Sequence, residues 1–262
     1  MQREESSHKG DNGKVAVIGG SRTIHGAPLL SALAAEASGV DLIYVCLPAC
    51  HEEVAKSTAL NFQVHPFQSH TLIPNDVEAI LELLATMDTA VIGPGLDRGK
   101  LTIDALEEII DGASCQLVLD ATALQPSTLD LVRGKHAVLT PHLGELERME
   151  LSENDLEKAA KDAGVVITLK GKMDRIAGPD GETKTVEGGN AGLTVGGTGD
   201  ALAGLIAGLI AQKMDPMDAA MMACRVIKRA GTVLLATKGY AYTATDVIGE
   251  IPHLLNAYED HD

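Results

Sequence analysis

The chain has 262 residues, 45% of them hydrophobic, which is enough for the core of one large α/β domain. Its formal net charge of −16 excludes a broad basic face for nucleic acid or an anionic membrane, so an anionic ligand must be met by a few well-placed donors. The opening "MQREESSHKGDNGK" lacks the apolar core of a secretory signal, and the longest apolar run, Ala201 to Ala211, is about half of the roughly 20 residues that span a bilayer.

In chain order, a polar tail over 1–12 is expected to be flexible, and a single domain is expected over 13–262. Short β-branched runs at 15–19, 41–47, 89–93, 116–120, 136–140 and 165–171 read as buried parallel strands. Helical periodicity fills the gaps between them. Over 75–87, for example, Val77, Ile80, Leu81 and Leu84 share one stripe behind an Asn75 or Asp76 cap. Strand and helix alternate as in a doubly wound sheet. After Lys170 the pattern changes, and the Gly-Pro-Asp-Gly turn in "MDRIAGPDGETKTVEG" predicts a hairpin at an antiparallel edge. Three helices close the chain, at about 198–212, 216–237 and 245–257. No internal repeat or interdomain linker is visible.

Cys46, Cys50, Cys115 and Cys224 are too few for a disulfide framework and lack the spacing of a metal site, which suits a reducing, cytoplasmic setting. His65 and His70 flank "PFQS" in a loop without partner ligands at zinc-type spacing, so no protein-bound metal is assigned.

In open α/β sheets, ligands lie at the carboxyl ends of the strands. The turns that follow the strands here gather glycine and polar residues: "GGSRTIHGAP", "GPGLDRG", "DATALQP", "TPHLGELERM" and "KGKMD". The stretch "GGTGD", residues 196–200, opens the most apolar helix. Its glycines let consecutive N–H groups point into one concavity, and the helix dipole adds positive potential there. Two readings follow. Either the segment is an anion hole with Asp200 as a built-in base, or it is an ordinary helix start that Asp200 caps. It matches neither the P-loop nor the Rossmann glycine pattern. Gly204 and Gly208, four apart, allow close packing of the helix against the sheet. Lys170 reads as a donor to phosphate or as a solvated strand-end lysine, and His142 as a substrate contact or a helix cap. Asp120 either orients a metal-bound water or a substrate, or satisfies strand-end backbone. "GPGLDRG" either brings main chain against a ligand or merely turns. All of these fall on one predicted edge, and that convergence marks a site.

The set "GPGLDRG", "LDATAL", "LTPHLGELERM", "LKGKMDRIAGPDG" and "GNAGLTVGGTGDALAGLIAGLIAQ" resembles the ADP/ATP-dependent NAD(P)H-hydrate dehydratases, carbohydrate-kinase-like enzymes that repair hydrated nicotinamide cofactors. The match runs from about Gly19 to the C-terminus, in the family's order. The resemblance implies a ribokinase-like three-layer α/β/α fold, with a mostly parallel central sheet and an antiparallel edge hairpin, assembled as a homo-oligomer. It implies that ADP or ATP with Mg²⁺ phosphorylates the ring hydroxyl of (6S)-NADHX or NADPHX and that phosphate elimination then restores NADH or NADPH. Carried over, Asp200 is the base and a substrate contact, and Gly197, Thr198 and Gly199 form the anion hole. Lys170, Gly171, Lys172, Met173 and Asp174, with Gly199, take the nucleotide. Ala27, Gly95 and His142 touch the hydrated cofactor. Three positions depart from the family's pattern: Ile24 replaces an aromatic or methionine, Asp174 replaces the Thr of K-G-x-x-T, and "KRAGT" at 228–232 replaces H-G-x-A-G-D. The N-terminal epimerase domain often found in the family has no room here, so repair of one epimer is expected. The alternatives are a small-molecule kinase of the same fold acting on a hydroxyethylthiazole- or hydroxymethylpyrimidine-type vitamin precursor, and a non-enzymatic nucleotide-binding protein.

Overall fold

A computed structural model describes residues 6–259. The elements run β1 (Lys14–Ile18), α1 (Gly26–Ala37), β2 (Leu42–Cys46), α2 (Glu52–Thr58), β3 (Gln63–Val64), α3 (Val77–Leu84), β4 (Thr89–Ile92), α4 (Lys100–Gly112), β5 (Gln116–Leu119) and α5 (Thr128–Leu131). They continue with β6 (Ala137–Leu139), α6 (Leu143–Arg148), α7 (Leu156–Ala163), β7 (Val166–Leu169), β8 (Asp174–Ala177), β9 (Thr183–Val186), α8 (Thr198–Ala211), α9 (Pro216–Lys238) and α10 (Ala244–Glu259). One sheet holds the strands in the order β3-β2-β1-β4-β5-β6-β7-β8-β9. Strands β3 to β7 are parallel, and β8 and β9 add antiparallel at the edge, as the turn residues predict.

The two faces of the sheet are filled by a two-residue alternation. Val15, Val17, Val45, Val91, Val118, Val138 and Val166 pack with buried residues of α1, α8, α9 and α10. Their neighbours Ala16, Ile18, Ile92, Leu119, Leu139 and Ile167 pack with α3, α4, α6 and α7. Strands covered on both faces need no polar residue, which is why they read as short continuous apolar runs. The chain leaves β1 toward β2 on one side and returns to β4 on the other, so the winding reverses between β1 and β4. Ligands favour that crevice in open α/β sheets.

Helix α8 is buried along its whole length from Ala201 to Ala211. It is enclosed by α1, α9, α10 and the sheet, which accounts for its apolar composition on every side. Gly204 and Gly208 serve a different partner from the expected one. A Cβ at Gly204 would overlap the Ser31 carbonyl oxygen, and one at Gly208 would overlap the Ser38 hydroxyl, so the close approach is to α1.

One local expectation also changes. The helix foreseen over 75–87 is a 3₁₀ turn at Pro74–Asp76 followed by α3. Asp76 does not cap it, because its carboxylate reaches back to the N–H groups of Ile73 (3.1 Å) and Gln68 (3.3 Å). Of the polar tail, residues 1–5 lie outside the described residues. Within 10–12, the N–H groups of Gly10 and Asn12 donate to Asp41 at 2.8 and 3.1 Å. Among the described residues, no helix is long and apolar enough to cross a membrane.

The α1–α8 approach yields a contrast within one residue type. Gly204→Ala is expected to lower unfolding stability by about 3 kcal/mol, because backbone must move to admit the methyl group. Gly249→Ala in α10, where an added Cβ meets nothing, is expected to be neutral or stabilising by up to about 1 kcal/mol. Urea denaturation of the two variants checks both.

Candidate active site

The site is assembled from strand ends and one helix start. At the reversal point, the Gly20 N–H donates to the Pro94 carbonyl (2.8 Å), and the Gly93 N–H to that of Ile18 (3.1 Å). This closes the turn after β4 on the turn after β1. Gly95 then faces Ile24 and Ala27, with its would-be Cβ 2.8 Å from Ile24 Cγ2 and 3.2 Å from Ala27 Cβ. Ala27 and Gly95, which the motifs place 68 positions apart, therefore share one small patch beside exposed Ile24.

Farther along the same edge stands a charged cluster. The Lys170 ammonium, at the end of β7, donates to Asp120 Oδ1 (2.6 Å) after β5 and lies 3.6 Å from Glu145 Oε2 in α6. The Thr140 hydroxyl donates to the same Asp120 oxygen at 2.9 Å. Lys170 is thus a bound cation with its side chain only 18% exposed, not a solvated strand-end lysine. His142 caps α6: its Nδ1 accepts from the Glu145 N–H (3.2 Å), and its own N–H donates to Glu145 Oε2 (2.9 Å). It lines the cavity described below as well, so both sequence readings of this histidine remain on one side chain.

The first turn of α8 completes the cluster. Gly197 is left-handed (φ 100°), a conformation that glycine supplies cheaply, and a Cβ there would also run into Leu30 of α1. The helix then starts with no side-chain cap. The Thr198 hydroxyl is turned away, donating to the carbonyls of Leu193 (2.7 Å) and Val195 (3.1 Å). The first bond of the helix runs from the Ala201 N–H to the Gly197 carbonyl. The N–H groups of Thr198, Gly199 and Asp200 therefore precede the helical ladder and are available to an anion. Asp200 is not spent on capping. Its carbonyl accepts from Ser31 (2.9 Å), which ties this turn to α1, while Gly199 lies against the Lys170 ammonium.

Burial pushes the Asp200 carboxyl up to about 6, with Asp120 and Glu145 adding to the rise and Lys170 opposing it. Burial works against the Lys170 ammonium, but Asp120 and then Glu145 outweigh it, and its pKa is raised. The cluster therefore holds a permanent cation beside a carboxylate that is ionised yet basic near neutral pH, as general-base work requires.

Beside this turn opens a cavity of about 840 Å³. Lys170, Gly171, Lys172 and Asp174 form one wall, Gly188 to Ala191 another, and Thr198, Gly199 and Leu202 its end. Its size suits a nucleotide. Of the segment assigned to the nucleotide, Met173 is exposed and outside this lining, and the Asp174 side chain is turned inward, accepting from the Gly171 N–H (2.9 Å). Ala27 and Gly95 are outside the lining as well.

Three site residues were not assigned from sequence. Glu145 is buried and joins His142 to Lys170, although it was visible only as a letter of "TPHLGE". Asn190 accepts from the Tyr242 hydroxyl (2.8 Å) and donates to the Gly231 carbonyl (2.6 Å), fixing the second wall to α9. Lys228 is buried and lines the same cavity. A single polar residue after two glycines was the one available signal for Asn190.

A nine-stranded α/β/α sheet with an uncapped glycine-rich helix start and a half-buried carboxylate beside a large cavity is the architecture of ribokinase-like proteins. The NAD(P)H-hydrate dehydratase family profile matches residues 15–253, and the chain belongs to that family. It is 35% identical over 269 residues to the ADP-dependent (S)-NAD(P)H-hydrate dehydratase of Nitrosopumilus maritimus, covering 98% of this chain and 93% of that one. It is 34% identical to the bifunctional NAD(P)H-hydrate repair enzyme of Moorella thermoacetica, with 99% of this chain matching 52% of that protein. The crystal structure of the ADP/ATP-dependent NAD(P)H-hydrate dehydratase of Bacillus subtilis, grown with ATP and Mg²⁺, matches with a TM-score of 0.81 and 27% identity over 98% of this chain and 94% of that one.

The raised Asp200 carboxyl has a consequence for stability. Because the folded value lies above the ordinary carboxylate range, its stabilising contribution is complete below about pH 4 and is lost as pH rises through about 6. Asp200→Asn is therefore expected to melt roughly 3 °C or more above the wild type at pH 7.5, with the gap closing toward pH 4. Calorimetry at the two pH values checks this, and a gap that widens in acid would refute it.

Proposed function

We propose that this chain dehydrates (6S)-NADHX or NADPHX to NADH or NADPH at the expense of ADP or ATP. The observation that carries the reading is Asp200, a half-buried carboxylate at an uncapped helix start beside a nucleotide-sized cavity, in a chain of the dehydratase family. The names of the relatives support it.

In this reading the nucleotide lies along the Lys170–Asp174 wall with its terminal phosphate at the N–H groups of Thr198, Gly199 and Asp200. The hydrated nicotinamide ring lies toward Ala27, Gly95 and His142. Asp200 takes the proton of the ring hydroxyl as that oxygen attacks the terminal phosphorus. The helix start and Lys170 meet the charge that spreads over the phosphoryl oxygens. A bare hydroxyl beside the ring nitrogen leaves poorly, whereas a phosphate ester leaves with the electron pair of its C–O bond, pushed by the nitrogen lone pair. Loss of a proton from the adjacent carbon then restores the dihydropyridine. The balance is one hydrated cofactor and one nucleotide in, and one NADH, one inorganic phosphate and one shortened nucleotide out.

Magnesium fits best on the nucleotide phosphates. Asp120 and Glu145 are committed to Lys170, and among the described residues no three His, Cys, Asp or Glu side chains converge as ligands. The ion would neutralise phosphate charge during transfer. Homo-oligomeric assembly, carried over from the family resemblance, is read out by sedimentation velocity.

With (6S)-NADHX, Mg²⁺ and either nucleotide, NADH absorbance is expected to return with one phosphate released per NADH. Return without nucleotide consumption would contradict phosphorylation, and a stable ester formed faster from a vitamin precursor would favour the kinase alternative. Asp200→Asn is expected to lower the rate roughly 100-fold or more. The wild-type rate is expected to rise with pH through about 6 as Asp200 ionises. Asp120→Asn removes a charge that holds the Asp200 proton on, so the acid limb of its pH–rate profile is expected to move below that of the wild type.

A further inference from the structure

Two of the three departures from the family's pattern, Asp174 and Lys228, are the two halves of one buried contact. The Lys228 ammonium lies 3.2 Å from Asp174 Oδ2, and both residues are 6% exposed. It donates in addition to the carbonyls of Gly171 and Lys172, each at 3.0 Å. Two of the three ammonium protons are thus spent on these carbonyls, beside the ion pair. Asp174 in turn accepts from the Gly171 N–H (2.9 Å) and is hydrogen-bonded to Cys224, one helical turn before Lys228. The bend at 171–173 has no strand ladder of its own, and these side chains hold its polar groups.

The same turn of α9 holds the opposite wall. The Lys228 stem packs on Gly188 and Gly189, whose would-be Cβ atoms lie 3.9 and 3.4 Å from it. Three residues on, the Gly231 carbonyl accepts from Asn190. Residues 228–231 therefore anchor both loops that flank the cavity.

We propose that Lys228 and Asp174 are positioning residues that clamp the 171–174 bend onto α9 and thereby set the width of the nucleotide cavity. The inference rests on the nucleotide reading given above. Both residues border the cavity, and the pair acts through the backbone that it holds. Because each charge is buried with the other, the two positions can be exchanged only together.

The test compares single and paired changes in the intact protein. Lys228→Met alone strands the Asp174 carboxylate and is expected to lower Tm sharply. The paired Asp174→Thr/Lys228→Met variant removes both charges and is expected to melt within a few degrees of the wild type, because a buried pair is often replaceable by neutral groups. In that variant the nucleotide KM is expected to rise about tenfold, while kcat at saturating nucleotide falls by no more than about threefold and the KM for the hydrated cofactor stays within about twofold. A paired variant that recovers Tm and keeps the wild-type nucleotide KM would overturn the proposal, since the pair would then be structural only. Should the paired variant fail to fold, Asp174→Asn, which keeps the size and the Gly171 acceptor, is expected to raise nucleotide KM and to speed amide exchange at 171–173 with α9 unchanged. Unaltered KM and exchange there would also overturn it. A wild-type protein that neither binds nor consumes ADP or ATP removes the nucleotide reading and this inference together, whereas a normal wild type with unaltered variants removes the inference alone.

Discussion

The site depends on one half-buried ammonium. Three carboxylates, from the end of β5, from α6 and from α8, gather around Lys170, and its charge offsets their mutual repulsion. Asp120 is held closely enough to lock β5 to β7 across β6, and Glu145 carries the link on to the cap of α6. Asp200 receives less of that compensation. Its proton is held up to about 6, which suits the base role proposed for it.

That balance is useful only if Asp200 stands at the right height over the strand ends. The height is set by packing between backbones: α8 can lie against α1 as closely as it does only because residues 204 and 208 have no side chain. Ser31 then fastens the Asp200 carbonyl to α1, whose own start carries Ala27. The glycines in the middle of α8 and those at its start thus serve one purpose at two places. The former bring the helix in, and the latter leave its first N–H groups bare.

Much of this was legible in the residues because it is local. Buried parallel strands have a continuous apolar signature, the edge hairpin has its Gly-Pro-Asp-Gly turn, and strand-end turns collect the glycines and polar groups that a ligand needs. What escaped reading joins positions far apart in the chain. The partner of Gly204 is α1, at Ser31, and not the sheet, and no period in the sequence distinguishes a helix neighbour from a strand neighbour. Asp174 and Lys228 looked like two unrelated oddities until the fold set them 3.2 Å apart. Strand β3 has two residues, too few to show any alternation. Asp76 resembled a cap by type and position, but the proline at 74 starts a 3₁₀ turn, and the carboxylate finds its donors upstream instead.

The sheet ends in β3, two residues long, on one side and in β9, four residues long, on the other. Strand β9 carries Lys184 in an ion pair with Glu182, and its outer rim is charged and brief. Both borders are short, and a lysine at the β9 border discourages pairing with another chain. Association through helices and loops would leave these borders free. The strand-end crevice and the cavity would then be shaped by, or shielded behind, helical contacts and would never lie across a shared sheet.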